Sequence, residues 1–351
     1  MKYRIKNIIL PFVGVAALFF AACSDWVEPE SLDVHYPSLE EENPELYKQY
    51  MQSLRDYKSQ NHKVMFVTIE NPADGARPNT RNQHLTTVPD SVDFIVLTNP
   101  TVVHPLTADE IQEVHKKGTR TLYFIDFAVF ESEWVQLLKA DPALTEEEAL
   151  AYFTERTEGM LALCDKWKFD GVIVCYTGRA LVGIPDTEID AYNARQLSFL
   201  TPILAWREAH KGHVFSFMGN ANYLLETNRA FLDDCDYIIV PTDAATNYED
   251  VTFRAMAVVG ETGIPSDRII VTAQSTRPGD SKNAYGYFSI TDGNGNQVRS
   301  VYGCAEWVGL SSSFVRAGLM VKDAQYDYYN QILIYPAVRE AIGIMNPSPK
   351  N

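Results

Sequence analysis

The feature of this sequence that most limits its possible folds is an uninterrupted apolar run near its middle. Residues 168–178 read K-F-D-G-V-I-V-C-Y-T-G. A charged, helix-like segment ends just before them, an Asp-Gly pair turns the chain, and five apolar or aromatic residues follow without a polar one. Such a run is typical of a strand that is buried on both faces, as the central strands of parallel sheets are. The stretch therefore predicts a central parallel strand in an α/β protein.

Strand-like and helix-like segments alternate along most of the chain. The predicted strands are residues 63–70, 92–98, 121–127, 172–176, 213–218, 237–241, 268–273 and 315–321, and the main predicted helices are 107–117, 145–168, 190–210, 251–262 and 324–344. Eight such units in about three hundred residues fit one (β/α)8 TIM barrel. An open doubly wound sheet is the alternative. It usually has a Gly-rich phosphate turn after an early strand, and none follows Glu70 or Thr98.

One segment interrupts this alternation. Residues 285–302 contain two strand-like runs joined by D-G-N-G at residues 292–295, which is a strong hairpin pattern. We predict a small β-hairpin insertion after the seventh strand, before the helix that follows that strand. Loops at the carboxyl end of a barrel commonly shape a ligand groove, so the hairpin is expected to form a wall of the site.

The chain begins with a pattern that is typical of a secretory signal. Three cations among the first residues precede an apolar run over residues 8–20, and small residues then lead to Cys23. We therefore interpret residues 1–22 as a cleaved signal peptide. The sequence F-A-A-C that ends at Cys23 resembles the bacterial lipobox, in which the Cys carries the lipid. A plain secretory peptide with an incidental Cys is the alternative.

The segment after Cys23 predicts how the mature chain is attached to the membrane. Residues 23–45 form the predicted lipidated, acidic tether, and residues 46–351 form the predicted barrel domain. The tether resembles the surface-export signals of Bacteroides-type lipoproteins, which implies an outer membrane lipoprotein that faces outward. Loss of residues 1–22 takes the formal net charge from −16 to −19, because three cations are removed. So acidic a surface argues against nucleic acid as a partner and is compatible with neutral ligands.

Four further cysteines lie in the mature chain. Cys164, Cys175, Cys235 and Cys304 form neither a C-x-x-C pair nor a cluster with His at zinc-ligand spacing. We interpret them as buried small apolar residues, with a disulfide as the alternative because the predicted compartment is oxidising. Neither a metal site nor a cofactor is expected.

The spacing around the central strand resembles a catalytic motif. Asp170 and Gly171 match the start of D-G-x-D-x-D-x-E, the fourth-strand motif of glycoside hydrolase family 18, the chitinases and endo-β-N-acetylglucosaminidases. The three further carboxylates of the motif fall at Ile173, Cys175 and Thr177, which carry no carboxyl group. The resemblance implies a mechanism that needs a general acid and a supporting carboxylate. A Thr hydroxyl cannot replace the acid, so the motif is degenerate and no catalytic residue is expected on this strand.

The resemblance also covers the strand order and the end of the chain. Residues 335–347 resemble the last helix of family 18 lipoproteins from gut Bacteroidetes. Active members are implied to cleave the chitobiose core of N-linked glycans, and degenerate members to hold glycans at the cell surface for partner glycosidases and a TonB-linked importer. We favour a catalytically inactive surface lipoprotein that binds host glycans, N-glycans above all. The alternatives are an active endo-β-N-acetylglucosaminidase whose acid has moved to Asp126 or Asp243, and a purely structural lipoprotein.

The carboxyl ends of the predicted strands supply the candidate ligand-binding residues, since this end of a barrel forms its functional face. Amides, hydroxyls and aromatic rings there suit the hydroxyls and apolar ring faces of neutral sugars. Each candidate also has a structural alternative, such as a turn or a core contact. The main candidates are Asp126, Tyr176, Thr177, Asn220, Asp243 and Gln274, and other strand-end residues are Glu70, Asn71, Thr98, Asn99, Thr242, Ser275, Lys322 and Asp323. The nearby aromatic residues are Phe130, Trp134, Tyr223, Tyr248, Tyr285, Tyr287 and Phe288.

Overall fold

The structure, a computed structural model, describes residues 38–180, 182–277, 286–329 and 332–347. The predicted signal peptide, the lipid-bearing Cys23, most of the predicted tether and Tyr285 lie outside these ranges. The chain divides into two compact units, Met1–Gln49 and Tyr50–Asn351. The described part of the first unit contains helix α1 (Leu39–Glu42) and the start of helix α2 (Pro44–Ser59). No helix within the described ranges is long and apolar enough to cross a membrane.

The second unit contains a closed barrel of eight parallel strands. They are β1 (Val64–Ile69), β2 (Phe94–Leu97), β3 (Arg120–Asp126), β4 (Gly171–Tyr176), β5 (Val214–Gly219), β6 (Tyr237–Val240), β7 (Ile269–Gln274) and β10 (Arg316–Lys322). Each strand lies beside its neighbour along the chain, and β10 closes the ring against β1. The predicted (β/α)8 TIM barrel is confirmed.

Helices surround this barrel, and a hairpin interrupts the pattern once. The helices are α3 (Pro105–Lys116), α4 (Phe127–Ala140), α5 (Glu146–Trp167), α6 (Asp186–Ala209), α7 (Tyr248–Val259), α8 (Ser300–Gly309) and α9 (Pro336–Met345). Strands β8 (Tyr287–Thr291) and β9 (Gln297–Arg299) pair antiparallel between β7 and α8, as predicted. Short 3-10 helices include Ala221–Tyr223, Glu226–Asp234 and Ala324–Asp327.

The predicted end of the hairpin is wrong by three residues. Its second strand stops at Arg299, and residues 300–302 form the first turn of α8. Val301 in that turn is buried in the core. Apolar residues in a strand-like pattern cannot be told from the start of a buried helix by periodicity alone, which explains the error.

The predicted closing helix over residues 324–344 is also wrong. The chain instead forms the 3-10 helix Ala324–Asp327, and α9 starts at Pro336. Proline lacks the N–H that a helix interior requires but is well suited to the first helical position. Tyr335, just before it, has a left-handed φ of 53°. The single predicted helix is therefore two separate elements, the 3-10 helix Ala324–Asp327 and α9.

Apolar side chains fill both sides of the barrel wall. The interior cluster includes Phe66, Phe94 and Ile173, and a larger cluster lies between the strands and the helices. The four cysteines are buried and free, as the first of the two interpretations predicts: Cys164, Cys175, Cys235 and Cys304.

The Asp-Gly pair before β4 joins three neighbouring strands. Asp170 Oδ2 accepts a hydrogen bond from the Thr121 N–H at 2.6 Å, which ties the start of β4 to β3. The Asp170 carbonyl accepts from the Val214 N–H at 2.7 Å, which ties it to β5. A Cβ on Gly171 would lie 1.9 Å from the Val214 carbonyl oxygen. Only glycine allows β5 to approach this closely, so this half of the motif has a structural role.

Candidate functional site

We use the term barrel mouth for the polar face at the carboxyl ends of the barrel strands. Strands β3 and β4 place Asp126 opposite Cys175 there. The residues at or just beyond these strand ends include Asp126, Cys175, Thr177, Asn220, Asp243, Gln274 and Lys322.

Strand β4 carries the three positions at which the resembled motif has carboxylates. Ile173 and Cys175 belong to the interior apolar cluster and are 0% and 7% exposed. Thr177 follows the strand and is exposed. Burial raises the pKa of the Cys175 thiol well above its ordinary value, so this side chain stays protonated. The three positions therefore provide a methyl-rich side chain, a neutral thiol and a hydroxyl, none of which is a general acid at neutral pH.

Tyr176 does not reach the barrel mouth, so its prediction as a ligand-binding residue is wrong. It is 1% exposed and packs against Phe127 on the outer side of the wall, with ring centroids 5.2 Å apart. Its hydroxyl accepts a hydrogen bond from Gln196 Nε2 at 2.9 Å. Successive side chains of a strand point to opposite faces, so Tyr176 must face away from the side that Cys175 and Thr177 share.

Asp126 lies at the end of β3, next to the centre of the mouth. Its Oδ1 accepts a hydrogen bond from the Ala128 N–H at 2.9 Å and so caps the start of α4. Burial raises the pKa of the Asp126 carboxyl, and this hydrogen bond opposes the rise. A raised carboxyl pKa favours the protonated form, which is the form that donates a proton.

Asp243 is held by two partners across the mouth. Its Oδ1 accepts from the Thr272 hydroxyl at 2.9 Å, and its Oδ2 lies 3.4 Å from Lys322 Nζ. The Thr272 hydroxyl oxygen in turn accepts from the Asp243 N–H at 3.0 Å. Lys322 and Asp243 thus form an ion pair between the ends of β10 and β6.

Gln274 and Asn220 are positioned by hydrogen bonds to neighbouring strand ends. Gln274 Nε2 donates to Asp323 Oδ2 at 2.8 Å. Asn220 Nδ2 donates to the Thr177 carbonyl at 2.8 Å. Both side chains are half-buried and keep acceptor oxygens for other partners. The structure therefore brings Asp126, Thr177, Asn220, Asp243 and Gln274 to one end of the barrel, and excludes Tyr176.

Several other strand-end candidates are already hydrogen-bonded within the protein or packed in its core. Asn71 Nδ2 donates to the Asn99 carbonyl at 2.7 Å, and Asn71 Oδ1 accepts from the Asn99 N–H at 3.0 Å. The two amides therefore join the ends of β1 and β2. Thr242 is buried, and its hydroxyl donates to the Thr272 carbonyl at 2.6 Å. Three of the predicted aromatic contacts are core residues instead, since they are at most 5% exposed: Phe130, Trp134 and Phe288.

A cavity of about 270 Å³, here the inner cavity, opens beside Gln274. Its walls come from the end of β7, the start of α8, the 3-10 helix after β10 and the start of α9. The side chains that matter for a ligand are Ser275, Arg299, Tyr302, Tyr326, Asp327 and Tyr329.

A second cavity of about 880 Å³, here the hairpin cavity, lies along β8 and β9. Its side chains include Tyr248, Tyr287, Asp292, Arg299, Tyr302 and Glu306. Tyr248 and Tyr287 are the predicted aromatic residues that lie half-buried on it. No sequence pattern points to Tyr302 or Tyr326, because the predicted hairpin includes Tyr302 and the predicted closing helix includes Tyr326. A further cavity of about 320 Å³, lined by Phe127, Glu131 and Arg179, lies just beyond the ends of β3 and β4. One of about 360 Å³, lined by Arg55, Lys58 and Asp93, lies at the opposite end of the barrel.

Among the described residues there is no group of three or more His, Cys, Asp or Glu that could hold a metal ion.

Solved structures of three other proteins are similar to this one in fold. An endo-β-N-acetylglucosaminidase from Cordyceps militaris aligns with a TM-score of 0.59 at 14% identity, over 85% of this chain and 95% of its own. A selenomethionine variant of BT1044 aligns at 0.58 with 17% identity, over 89% and 96%. A GH18 chitinase from Pseudoalteromonas aurantia aligns at 0.51 with 12% identity, over 80% and 99%. At these identities the likeness is one of fold alone.

The sequence also matches a family model. The model described as glycoside hydrolase family 18, BT1044-like, matches residues 27–344. No curated protein sequence matches the chain.

Proposed function

This chain belongs to glycoside hydrolase family 18, in its BT1044-like group, and we propose that it binds glycans without cleaving them. The observation that carries the proposal is the chemistry of β4. Hydrolysis with retention through the substrate's acetamido group needs an acid that protonates the glycosidic oxygen and a carboxylate that orients the acetamido group. Ile173 and Cys175 are buried in the barrel interior, and Thr177 holds the place of the acid.

The barrel mouth supports binding because its polar groups are preorganised. Asp243 is fixed by Thr272 and Lys322, and Gln274 by Asp323, so their remaining acceptor and donor positions point in set directions. Fixed polar side chains lose little entropy when a ligand's hydroxyls pair with them. The half-buried tyrosines of the two cavities add surfaces for the apolar faces of sugar rings.

The proposed ligand is an N-glycan of the host, recognised through its N-acetylglucosamine units. Two observations support this class: the family to which the chain belongs, and the fold it shares with proteins named as an endo-β-N-acetylglucosaminidase and a chitinase. The proposal extends to glycan capture for partner glycosidases and a TonB-linked importer, which would take up the bound chain.

We propose that Cys23 carries a lipid that holds the protein on the outer face of the outer membrane. The support is the F-A-A-C sequence after an apolar run, followed by an acidic segment. In cells that express the full chain, the Cys23→Ala variant is expected to move from the membrane fraction to the soluble periplasmic or secreted fraction. Retention of the variant in the outer membrane would contradict lipid attachment at this residue. Protease accessibility of the wild-type protein on intact cells tests the outward orientation.

An active glycosidase is the second candidate, and one observation favours it. Asp126 lies opposite Cys175 in the register of β3 and β4, and burial raises its carboxyl pKa. These are properties of a displaced general acid. Asp243 is the weaker candidate, because both of its carboxylate oxygens already have partners, the Thr272 hydroxyl and Lys322.

The two candidates are separated by measuring binding and glycan release on the same samples. The chain that lacks residues 1–23 is incubated with N-glycoproteins, and bound and released glycans are both quantified. The proposal predicts binding with no release above background. If release is seen, Asp126→Asn is expected to abolish it, and Asp243→Asn serves as the matched comparison.

A further inference from the structure

The two cavities beside the hairpin point to a longer binding path than the barrel mouth alone. We propose that the inner cavity and the hairpin cavity form one groove, here the hairpin groove, which holds an extended, uncharged glycan chain. The first sugar unit lies beside Gln274, and the chain continues outward along β8 and β9. This inference rests on the proposed function and adds the path and the charge class of the ligand.

The inner cavity and the hairpin cavity share two lining residues, which makes their walls continuous. Arg299 and Tyr302 line both of them. Arg299 ends β9, and Tyr302 lies in the first turn of α8, so the wall between the cavities is one turn of chain. With volumes of about 270 and 880 Å³, the groove has room for several sugar units, the smaller part beside the mouth and the larger along the hairpin.

Tyrosine is concentrated along this groove. Tyr248, Tyr287, Tyr302 and Tyr326 are half-buried, and Tyr329 is 56% exposed. Rings that are neither in the core nor free in solvent present flat apolar faces at fixed positions, which is how aromatic residues hold the apolar faces of sugars.

Cations steady two of these rings. The Arg299 guanidinium lies 5.9 Å from the centre of the Tyr287 ring, and the Arg277 guanidinium lies 5.0 Å from that of Tyr326. A ring held by a cation on one side loses less freedom when a ligand stacks on it. Tyr248 is held differently, through its hydroxyl, which donates to Glu306 at 2.5 Å.

An unsatisfied hydroxyl marks the inner cavity as a polar binding position. Ser275 is 5% exposed and lines this cavity. Among the described residues its Oγ has no hydrogen-bond partner. A buried hydroxyl without a partner costs the fold free energy, and a ligand hydroxyl that pairs with it recovers that cost.

The charges along the groove select against anionic glycans. The described residues that line the two cavities carry one cation, Arg299, and three carboxylates, those of Asp292, Glu306 and Asp327. The Arg277 guanidinium beside Tyr326 adds a second cation, so the carboxylates still outnumber the cations. The whole chain is acidic as well, with a formal net charge of −16. A sialylated or sulfated chain would be repelled, so the groove fits a neutral glycan.

The test compares glycans of different length and charge. Affinities for N,N′-diacetylchitobiose, a neutral high-mannose N-glycan and a sialylated N-glycan are measured by calorimetric titration of the chain that lacks residues 1–23. In the Tyr287→Ala variant, affinity for the high-mannose glycan is expected to fall about tenfold, since one stacking surface is lost, with no change for the disaccharide. Ser275→Ala is expected to weaken both. Tyr50→Ala removes a tyrosine on α2, 40% exposed, that lines neither cavity, and serves as the matched control.

The outcomes separate the groove from the proposed function. If the wild-type chain binds no glycan at all, the proposed function fails and the groove with it. If the chain binds but Tyr287→Ala leaves every affinity unchanged, the groove is overturned and the proposed function stands. Tighter binding of the sialylated glycan than of its desialylated form overturns the charge assignment. If Tyr287→Ala unfolds, Tyr287→Leu, which keeps an apolar side chain at this half-buried position and removes the ring, provides the same length comparison.

Discussion

The Gly171→Ala variant is expected to lose at least about 4 kcal/mol of folding free energy, a loss reached only by severe local disruption. The added Cβ would lie 1.9 Å from the Val214 carbonyl oxygen, where no rotamer can relieve the clash. The start of β4 must then separate from β5, which breaks the 2.7 Å hydrogen bond from the Val214 N–H to the Asp170 carbonyl. Urea unfolding followed by circular dichroism measures the loss.

Gly159→Ala is the matched control for this prediction. Gly159 lies inside α5, and nothing lies within 4 Å of the position its Cβ would take. Alanine is the better helix former, so this variant is expected to gain up to about 1 kcal/mol. Equal unfolding midpoints for Gly171→Ala and the wild type would contradict the structural role of the Asp-Gly pair.

The Asp327→Asn variant is expected to be more stable than the wild type at about pH 8, by on the order of 2 kcal/mol. Asp327 is 8% exposed, and its Oδ2 accepts from the Val338 N–H at 2.9 Å at the start of α9. A helix start favours a carboxylate, yet burial outweighs this and raises the pKa of Asp327 to about 6. An Asn oxygen keeps the acceptor and carries no charge to bury.

The pH dependence of this difference is its sharpest test. The folded chain keeps the Asp327 proton up to about pH 6, whereas the unfolded chain releases it near pH 4. Wild-type stability from this group is therefore full below about pH 4 and is lost as pH rises through the folded pKa. The advantage of Asp327→Asn should be small at about pH 4 and largest at about pH 8. An advantage of equal size at both values would show that the carboxyl does not titrate in this way.

Asp292 provides a control of opposite sign. Hydrogen bonds from Asn296 and Asn294 in the hairpin turn lower the pKa of its carboxyl. A lowered pKa means that the folded chain gains stability from the ionised form as pH rises above the unfolded value. Asp292→Asn is therefore expected to lose stability relative to the wild type at about pH 8, and to lose less at about pH 4.

The barrel itself could be predicted from the sequence because its strands are buried on both faces. Such strands read as continuous apolar runs, and the runs alternate with helical segments. The closing helix could not be predicted, since residues 324–327 share its helical apolar pattern but form a separate 3-10 helix. The hairpin turn was visible in D-G-N-G, whereas the start of α8 was not, because Val301 is apolar in either element.

The sequence predicts only those site residues that lie at the carboxyl ends of the barrel strands. Asp126, Asp243 and Gln274 lie where the barrel geometry places them. Tyr176 was misplaced although strand alternation already assigns it to the face opposite Cys175. The hairpin groove was out of reach, because Ser275, Tyr302 and Tyr326 come together only through packing of separate elements.

The D-G-x-D-x-D-x-E resemblance separates into two parts with different physical roles. Asp170 and Gly171 tie β4 to its neighbours and allow close strand approach, which any barrel of this shape requires. The other three positions serve chemistry, and here they hold Ile173, Cys175 and Thr177. A chain can therefore keep the scaffold half of the motif and lack the catalytic half, since function depends on the site and not on the fold.

Glycan release is the measurement that tests the central claim most directly. The chain that lacks residues 1–23 is incubated with N-glycoproteins that carry high-mannose and complex glycans, and released glycans are quantified by mass spectrometry over time, with bound glycan measured in parallel. We predict saturable binding and a release rate equal to that of a buffer control. Release well above that control, lost in Asp126→Asn and retained in Asp243→Asn, would contradict the claim and identify Asp126 as the displaced acid.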